Sequence, residues 1–165
     1  MKRRTALGIA LGAPAIAADV RSQFVGVWNL VSFERTSTDG KVTKPYGDKP
    51  VGRICYDKSG RMSAQLMRPG RRHTSLAAAN NSADSLRGAS CDDLREMANG
   101  FASYYGTFDL DVASKTVIHH VKVAMLPSWV GTDLKRIYAF EGNRLSLTVV
   151  AASSRATLVW EKESD

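Results

Sequence analysis

Apolar and polar residues alternate along most of the chain, in short runs separated by turn-forming residues. The triplet Gly26-Val27-Trp28 opens the first run, and seven more runs follow it. Alternation with a period of two is typical of β-strands that bury one face. The eight predicted strands cover residues 28–35, 51–57, 61–67, 106–112, 116–125, 133–140, 144–150 and 155–161.

The connections between these runs predict how the strands are joined. Several pairs of runs are linked by short turn sequences, Lys58-Ser59-Gly60, Ala113-Ser114-Lys115 and Glu141-Gly142-Asn143, which is typical of β-hairpins. Helical patterns do not alternate with the strands along the chain, so a parallel α/β sheet is disfavoured. The pattern predicts an all-β fold, an up-and-down antiparallel β-barrel of about eight strands. Such a barrel is wide enough to hold one small ligand.

A long insertion over residues 68–104 interrupts the alternation. Within it, Ser90 and Asp93 have the spacing of a capping box at a helix start. Apolar residues then recur at helical spacing, at Leu94, Met97, Phe101 and Tyr105. We therefore expect one amphipathic helix over residues 92–104, packed against or over the barrel, either as a lid or as a stabilising plug.

The N-terminus has the layout of a secretory signal. A positively charged start, Lys2-Arg3-Arg4, is followed by a short apolar stretch and by the small-x-small sequence Ala15-Ile16-Ala17. We expect a signal peptide over residues 1–18 and a barrel domain over residues 19–165. The protein is then periplasmic or secreted. No later stretch is long and apolar enough to predict a transmembrane helix.

The charge of the chain gives little support to a nucleic-acid partner. The formal net charge is +7, and without Lys2, Arg3 and Arg4 it falls to +4, with 20 basic residues against 16 acidic ones. No dense basic stripe with interleaved aromatic residues is present. The oligomeric state is left open by the sequence.

Cys55 and Cys91 are the two cysteines of the chain. Export would permit a disulfide between them. Cys55 lies in a predicted strand and Cys91 at a predicted helix start, and sequence alone does not show whether a bridge has the geometry it needs. A disulfide and two inert thiols both remain open.

Strand parity places one group of side chains inside the barrel. Val117, His119, Val121 and Val123 share the more apolar face of their strand. A tight turn before that strand puts His119 opposite Phe108. On the strand over residues 133–140, Arg136 and Tyr138 share a face with Leu134 and Phe140. A simple antiparallel register brings Tyr138 close to His119, with Arg136 diagonally adjacent.

These inward residues form a candidate ligand site of His119, Arg136, Tyr138 and Phe108. A buried cation is costly unless it is paired, and an arginine fork holds a carboxylate through two hydrogen bonds. A fatty-acid-like or other carboxylate ligand would therefore suit this lumen. Two further residues complete the prediction, Gln65 as a hydrogen-bonding group and Trp129 at the barrel mouth. The alternative is that Arg136 points to solvent and His119 is a core histidine bonded to a neighbour.

Metal and cofactor sites have little support in the sequence. His119 and His120 are adjacent, so they leave a strand on opposite faces, and His73 is the only other histidine. We expect no metal site and no cofactor. A haem with His119 as its axial ligand is the weaker alternative.

Several segments resemble the bacterial and fungal lipocalin-like domain family. They are Gly26–Glu34 read as GVWNLVSFE, then PYG at 45–47, GRMSAQLM at 60–67, YYGTF at 104–108, HHV at 119–121 and WVGTD at 129–133. The resemblance implies a barrel that binds a small molecule. It also implies that Trp28 closes the barrel floor beneath a basic side chain of the last strand, either Lys162 or Arg155.

Three functions remain open on this evidence. The first is an exported barrel that binds a small hydrophobic ligand, either with or without a carboxylate. The second is a cyclase or isomerase that uses His119, Tyr138, Arg136 and Glu34 as acid–base groups, although no recognised catalytic motif is present. The third is a barrel filled with its own side chains, with a structural or interaction role.

Overall fold

The structure, a computed structural model, describes residues 13–71 and 89–164. Within these residues, eight strands form the architecture, with one short extra strand and two helices. The elements are α1 (Ala13–Phe24), β1 (Gly26–Ser37), β2 (Val42–Thr43), β3 (Val51–Tyr56), β4 (Arg61–Met67), α2 (Cys91–Ala98), β5 (Phe101–Asp111), β6 (Thr116–Ala124), a 3₁₀ turn (Pro127–Trp129), β7 (Asp133–Glu141), β8 (Arg144–Ala151) and β9 (Ser154–Lys162).

The strands form a closed antiparallel barrel. Neighbours along the chain pair in the order β1-β3-β4-β5-β6-β7-β8-β9, and β9 pairs back with β1. The closing ladder runs from Trp28 opposite Lys162 to Ser37 opposite Ser154, while β2 adds two pairs to the far end of β1. The up-and-down eight-stranded barrel predicted from the alternation is confirmed. Closure also removes the exposed edges that an open sheet would leave.

The helix of the insertion is shorter than predicted. Its start is confirmed, because the Ser90 hydroxyl accepts from the Asp93 amide at 3.1 Å. The helix ends at Ala98, since Gly100 adopts a left-handed φ of +71° and Phe101 already pairs with β4. Phe101 and Tyr105 therefore lie on β5, and the predicted span 92–104 is wrong at its C-terminal end. A spacing of four repeats on one face in a strand as well as in a helix.

One end of the barrel is closed by the last residue of α1. The Phe24 side chain is 0% exposed. Its ring lies 5.0–6.1 Å, between centroids, from a ring of aromatic side chains, formed by Tyr56, Phe108, Tyr138 and Phe140. We call this end the closed end. The opposite end, beyond Phe101 and the 3₁₀ turn, is the open end.

Trp28 and Lys162 complete the closed end. The Trp28 indole Nε1–H donates to the Phe24 carbonyl at 2.8 Å. The Lys162 Nζ lies 5.1 Å from the centre of the Trp28 ring and donates to the Gln23 carbonyl at 3.2 Å. Lys162, and not Arg155, is thus the basic partner of Trp28. Arg155 pairs with Thr36 near the open end.

The prediction of which β6 residues point inward is confirmed for three residues and wrong for one. Val117, His119 and Val121 are buried. Val123 is exposed, because a bulge in the β5–β6 ladder shifts the pairing between Tyr105 and Gly106. An extra residue in one strand turns every side chain beyond it to the other face.

Cys55 and Cys91 are free thiols in this structure. Cys91 is exposed at the start of α2, and Cys55 is half-buried on β3. The disulfide alternative is therefore not realised. Within residues 13–71 and 89–164, no helix combines the length and the apolar character needed to cross a bilayer.

Candidate ligand-binding site

The half of the barrel towards the open end is hollow. A cavity of about 420 Å³ lies there, within the usual size range of small-molecule sites. The Phe24 cluster fills the closed end, so the barrel is neither empty nor fully packed. The cavity wall includes Ile54, Leu66, Tyr104, Leu147, Leu158 and Trp160.

The cross-strand partner of His119 on β5 is the predicted one, and its partner on β7 is not. It pairs with Phe108, as the tight turn predicts. Across the next connection it pairs with Leu134 and not with Tyr138. The 3₁₀ connection folds back onto β6, where the Gly131 amide donates to the Val121 carbonyl at 2.9 Å. This contact moves the β7 register by four residues from the simple expectation.

Because a shift of four residues is even, each β7 side chain keeps its inward or outward face. What changes is its depth along the barrel axis. Arg136 and Tyr138 still point inward. Arg136 pairs with Val117, which leaves it diagonal to His119, as predicted. Tyr138 moves to the closed end, where it packs against Phe24. The predicted contact between Tyr138 and His119 is therefore wrong.

Two other tyrosines hold His119. The Tyr56 hydroxyl lies 2.8 Å from His119 Nε2, and the Tyr104 hydroxyl lies 3.0 Å from Nδ1. His119 is 0% exposed, and burial, with a smaller contribution from the charge of Arg136, lowers its pKa to about 3. Burial likewise raises the pKa of both tyrosines. All three groups are neutral at physiological pH.

Sequence reasoning missed both tyrosine partners. Tyr56 lies on a correctly predicted strand, one inward position after Ile54, so its parity offered a signal. Tyr104 fell within the predicted helix, which hid its inward position on β5. The alternative of a core histidine bonded to its neighbours is thus the arrangement that the structure shows.

Arg136 reaches the cavity from β7. Its side chain is half-buried and lines the cavity, and one guanidinium nitrogen donates to the Lys135 carbonyl at 2.9 Å. The guanidinium approaches Tyr104 closely enough to lower the pKa of that phenol by charge and hydrogen bonding, against the larger effect of burial. No aspartate or glutamate side chain lines the described cavity.

The other predicted site residues divide between three places. Trp129 lines the cavity near the open end, with its ring 5.6 Å from that of Tyr104. Phe108 belongs to the closed-end cluster and does not line the cavity. Gln65 is exposed on the outer face, because Met62 and Ala64 take the inward positions of β4. The prediction that Gln65 faces the ligand is wrong.

The insertion helix is held near the open end by arginines of the same segment. Arg71 donates from Nη2 to the Met97 carbonyl at 2.6 Å and to the Glu96 carbonyl at 3.2 Å, at the C-terminus of α2. Arg68 pairs with the Glu96 carboxylate at 3.4 Å. Ala98, the last residue of the helix, and the two residues after it line the cavity. The helix thus packs beside the cavity entrance, as the insertion predicts.

The geometry of His119 limits its chemistry. Both ring nitrogens are already hydrogen-bonded, so ligation of a haem iron would require one tyrosine contact to break. Acid–base use of the predicted set is also disfavoured, because Glu34 is exposed and Tyr138 lies apart from His119. The cavity instead offers hydrogen-bond donors in an apolar wall, which suits binding.

Residues 25–163 match the family model of the lipocalin-like domain, and the chain belongs to that family. A similar protein of Aspergillus oryzae, the "4'-hydroxy-3'-methoxypropiophenone carrier protein ppsC", is 30% identical over 113 residues, which cover 61% of this chain and 96% of that protein. A solved structure of a mutant of the fluorescent protein UnaG aligns with 87% of this chain and 99% of its own, at 10% identity and a TM-score of 0.39.

Proposed function

We propose that this protein binds one small hydrophobic ligand in the cavity and that Arg136 holds an acidic group of that ligand. The carrying observation is a half-buried guanidinium that lines an apolar cavity and pairs with no carboxylate among the described residues. A cation in such a place is costly until an anion joins it, and a carboxylate matches its forked geometry.

The tyrosine–histidine network supports this by supplying a second donor. Neutral imidazole donates from one nitrogen and accepts at the other. Tyr56 has no other hydrogen-bond partner among the described residues, so its hydroxyl is satisfied best by donating to His119 Nε2. His119 Nδ1–H then donates to the Tyr104 oxygen. This leaves the Tyr104 hydroxyl hydrogen for the cavity, beside the Arg136 guanidinium.

The Aspergillus oryzae relative supports the binding function at a coarser level. Its name describes a carrier of a small aromatic ketone with hydroxy and methoxy groups. A molecule of that kind combines an apolar body with oxygen acceptors. Such acceptors complement a cavity whose polar groups donate, so a carrier or sequestering role suits this chain as well.

The Arg136→Gln variant tests whether Arg136 holds the acidic group of the ligand; we call this role of Arg136 the acid anchor. We expect it to weaken binding of phenylbutyrate about tenfold to hundredfold, because a hydrogen bond to a charged group contributes about 1.5–3 kcal/mol. Binding of the uncharged methyl ester should change less than about threefold. Isothermal titration calorimetry measures both affinities for the variant and the parent.

Lys135→Gln is the matched control, since it removes the same charge from the exposed neighbour on β7. It should leave both affinities unchanged. Equal affinity of the Arg136→Gln variant and the parent for phenylbutyrate would overturn the acid anchor. So would equal losses for the acid and the ester.

We also propose that the protein is exported and that residues 1–18 are removed. The leader pattern supports this, and so does the position of the contacts between α1 and the barrel. Val20 and Phe24 pack into the core, and Arg21 stacks 4.5 Å over the Phe108 ring. These contacts all follow the expected cleavage point, so processing there leaves them intact.

Intact-mass analysis of fractionated cells tests the export proposal. The expected species begins at or next to Asp19 and occurs in the periplasm or the medium. Full-length chain confined to the cytosol would contradict it.

A further inference from the structure

Trp160 carries a buried donor without a partner. It lies on β9, paired with Leu30 and Leu145, and it is 1% exposed. It is one of the residues that line the cavity. The Nε1–H has no hydrogen-bond partner among the described residues.

The contrast with Trp28 shows that this chain does satisfy a buried indole elsewhere. Trp28 Nε1–H donates to the Phe24 carbonyl at 2.8 Å. A buried donor left without an acceptor costs about 1–3 kcal/mol. Trp160 is one of the residues that line the cavity, so the cavity is the nearest space from which an acceptor could approach this covered donor.

The surroundings of Trp160 define the kind of acceptor. The neighbouring cavity walls are aliphatic, with Ile54, Leu147 and Leu158. A carboxylate placed against a single neutral donor in such walls would remain poorly compensated. A carbonyl or ether oxygen is satisfied by one neutral N–H.

The position of Trp160 along the barrel separates it from the acid anchor. It stands two residues before Lys162, which lies over Trp28 at the closed end. Arg136 stands four residues before Phe140, which packs on Phe24. Trp160 therefore lies along the deeper part of the cavity and Arg136 along a part nearer the open end.

We propose that the ligand is an oxo-acid or alkoxy-acid: its acidic group binds Arg136 and a second, uncharged oxygen accepts from Trp160 Nε1–H. The inference rests on the proposed function and adds the second polar group. The apolar remainder of the ligand fills the aliphatic wall around the indole.

The test uses pairs of acids that differ only in a ketone oxygen. Benzoylpropionate is compared with phenylbutyrate, and the comparison is repeated with one or two methylenes added between the carbonyl and the carboxylate. We expect at least one oxo-acid to bind about threefold to tenfold more tightly than its deoxo partner, the range of one neutral hydrogen bond. Trp160→Phe should abolish that preference, and Lys135→Gln, on the exposed face of β7, should retain it.

Indole NMR supplies a readout that does not depend on affinity. The chain has three tryptophans, so ¹⁵N-labelled protein gives three Nε1–H signals, and the Trp160→Phe and Trp129→Phe variants assign two of them. The Trp160 signal should move downfield with the preferred oxo-acid and move less with its deoxo partner. The Trp28 signal should stay in place.

The outcomes separate this inference from the proposed function. Acids that bind through Arg136 without any preference for the ketone, and without a ketone-dependent shift of the Trp160 signal, overturn this inference alone. Acids whose binding ignores Arg136→Gln overturn the proposed function and the inference together.

Discussion

Phe24→Ala is expected to lower the free energy of unfolding by about 3–5 kcal/mol, the range found when a buried aromatic side chain is truncated. Phe24 is 0% exposed and touches four aromatic rings from three different strands. Its removal leaves a cavity at the closed end that these rings, each fixed on a strand, refill poorly. Urea denaturation followed by near-ultraviolet circular dichroism measures the loss.

Gln23→Ala is the control for Phe24→Ala. It changes the preceding, exposed residue of α1 and should cost less than about 0.5 kcal/mol, as is usual for surface substitutions. A loss below about 1 kcal/mol for Phe24→Ala would show that α1 is not part of the barrel core.

His119→Leu is expected to cost about 2–4 kcal/mol. The substitution keeps an apolar side chain in the site and leaves the Tyr56 and Tyr104 hydroxyls without the nitrogens that they contact at 2.8 and 3.0 Å. Each buried hydroxyl that loses its partner costs about 1–3 kcal/mol. Since Tyr104 also lines the cavity and lies beside Arg136, affinity for phenylbutyrate should fall as well.

The cause of the lost stability can be isolated by removing the two tyrosine hydroxyls that have lost their hydrogen-bond partner. Adding Tyr56→Phe and Tyr104→Phe to His119→Leu should recover at least half of the lost stability, because apolar replacement of all partners in a hydrogen-bonded group is nearly neutral. A triple variant less stable than His119→Leu would mean that ring packing, and not hydrogen bonding, dominates the site.

The parts of the fold that depend on local pattern were predictable. Period-two alternation locates the eight strands, and short turns define their register, as the pairing of Phe108 with His119 shows. The capping box locates the start of α2. Each of these signals acts within a few residues, so the sequence contains it directly.

The errors arose where contacts between residues distant in sequence determine the register of a strand. The connection between β6 and β7 folds back on Val121, and this moved Tyr138 away from His119. The bulge beside Gly106 turned the Val123 side chain from the inner to the outer face of the barrel. The two strands approach too closely there for a side chain, because an alanine at Gly106 would place its Cβ 1.9 Å from the His120 carbonyl oxygen. The fold-back of the connection leaves no local signature, and Gly106 inside a strand is the one local signal of the bulge.

The candidate site was partly predictable for the same reason. Parity alone places Arg136 inside the barrel, since a slip by an even number of residues keeps its face. The hydrogen-bond partners of His119 lie 15 and 63 residues away in sequence. Trp160 becomes a candidate site residue only because it lines the cavity. These relations require the closed barrel.

A crystal structure of the protein with benzoylpropionate tests the central claim most directly. The carboxylate should lie within hydrogen-bonding distance of the Arg136 guanidinium and the Tyr104 hydroxyl, with the phenyl group among the aliphatic residues of the cavity. The account is contradicted if the acid instead occupies the groove on the outer face beside Cys55 and Tyr105, or if it leaves the cavity empty at saturating concentration.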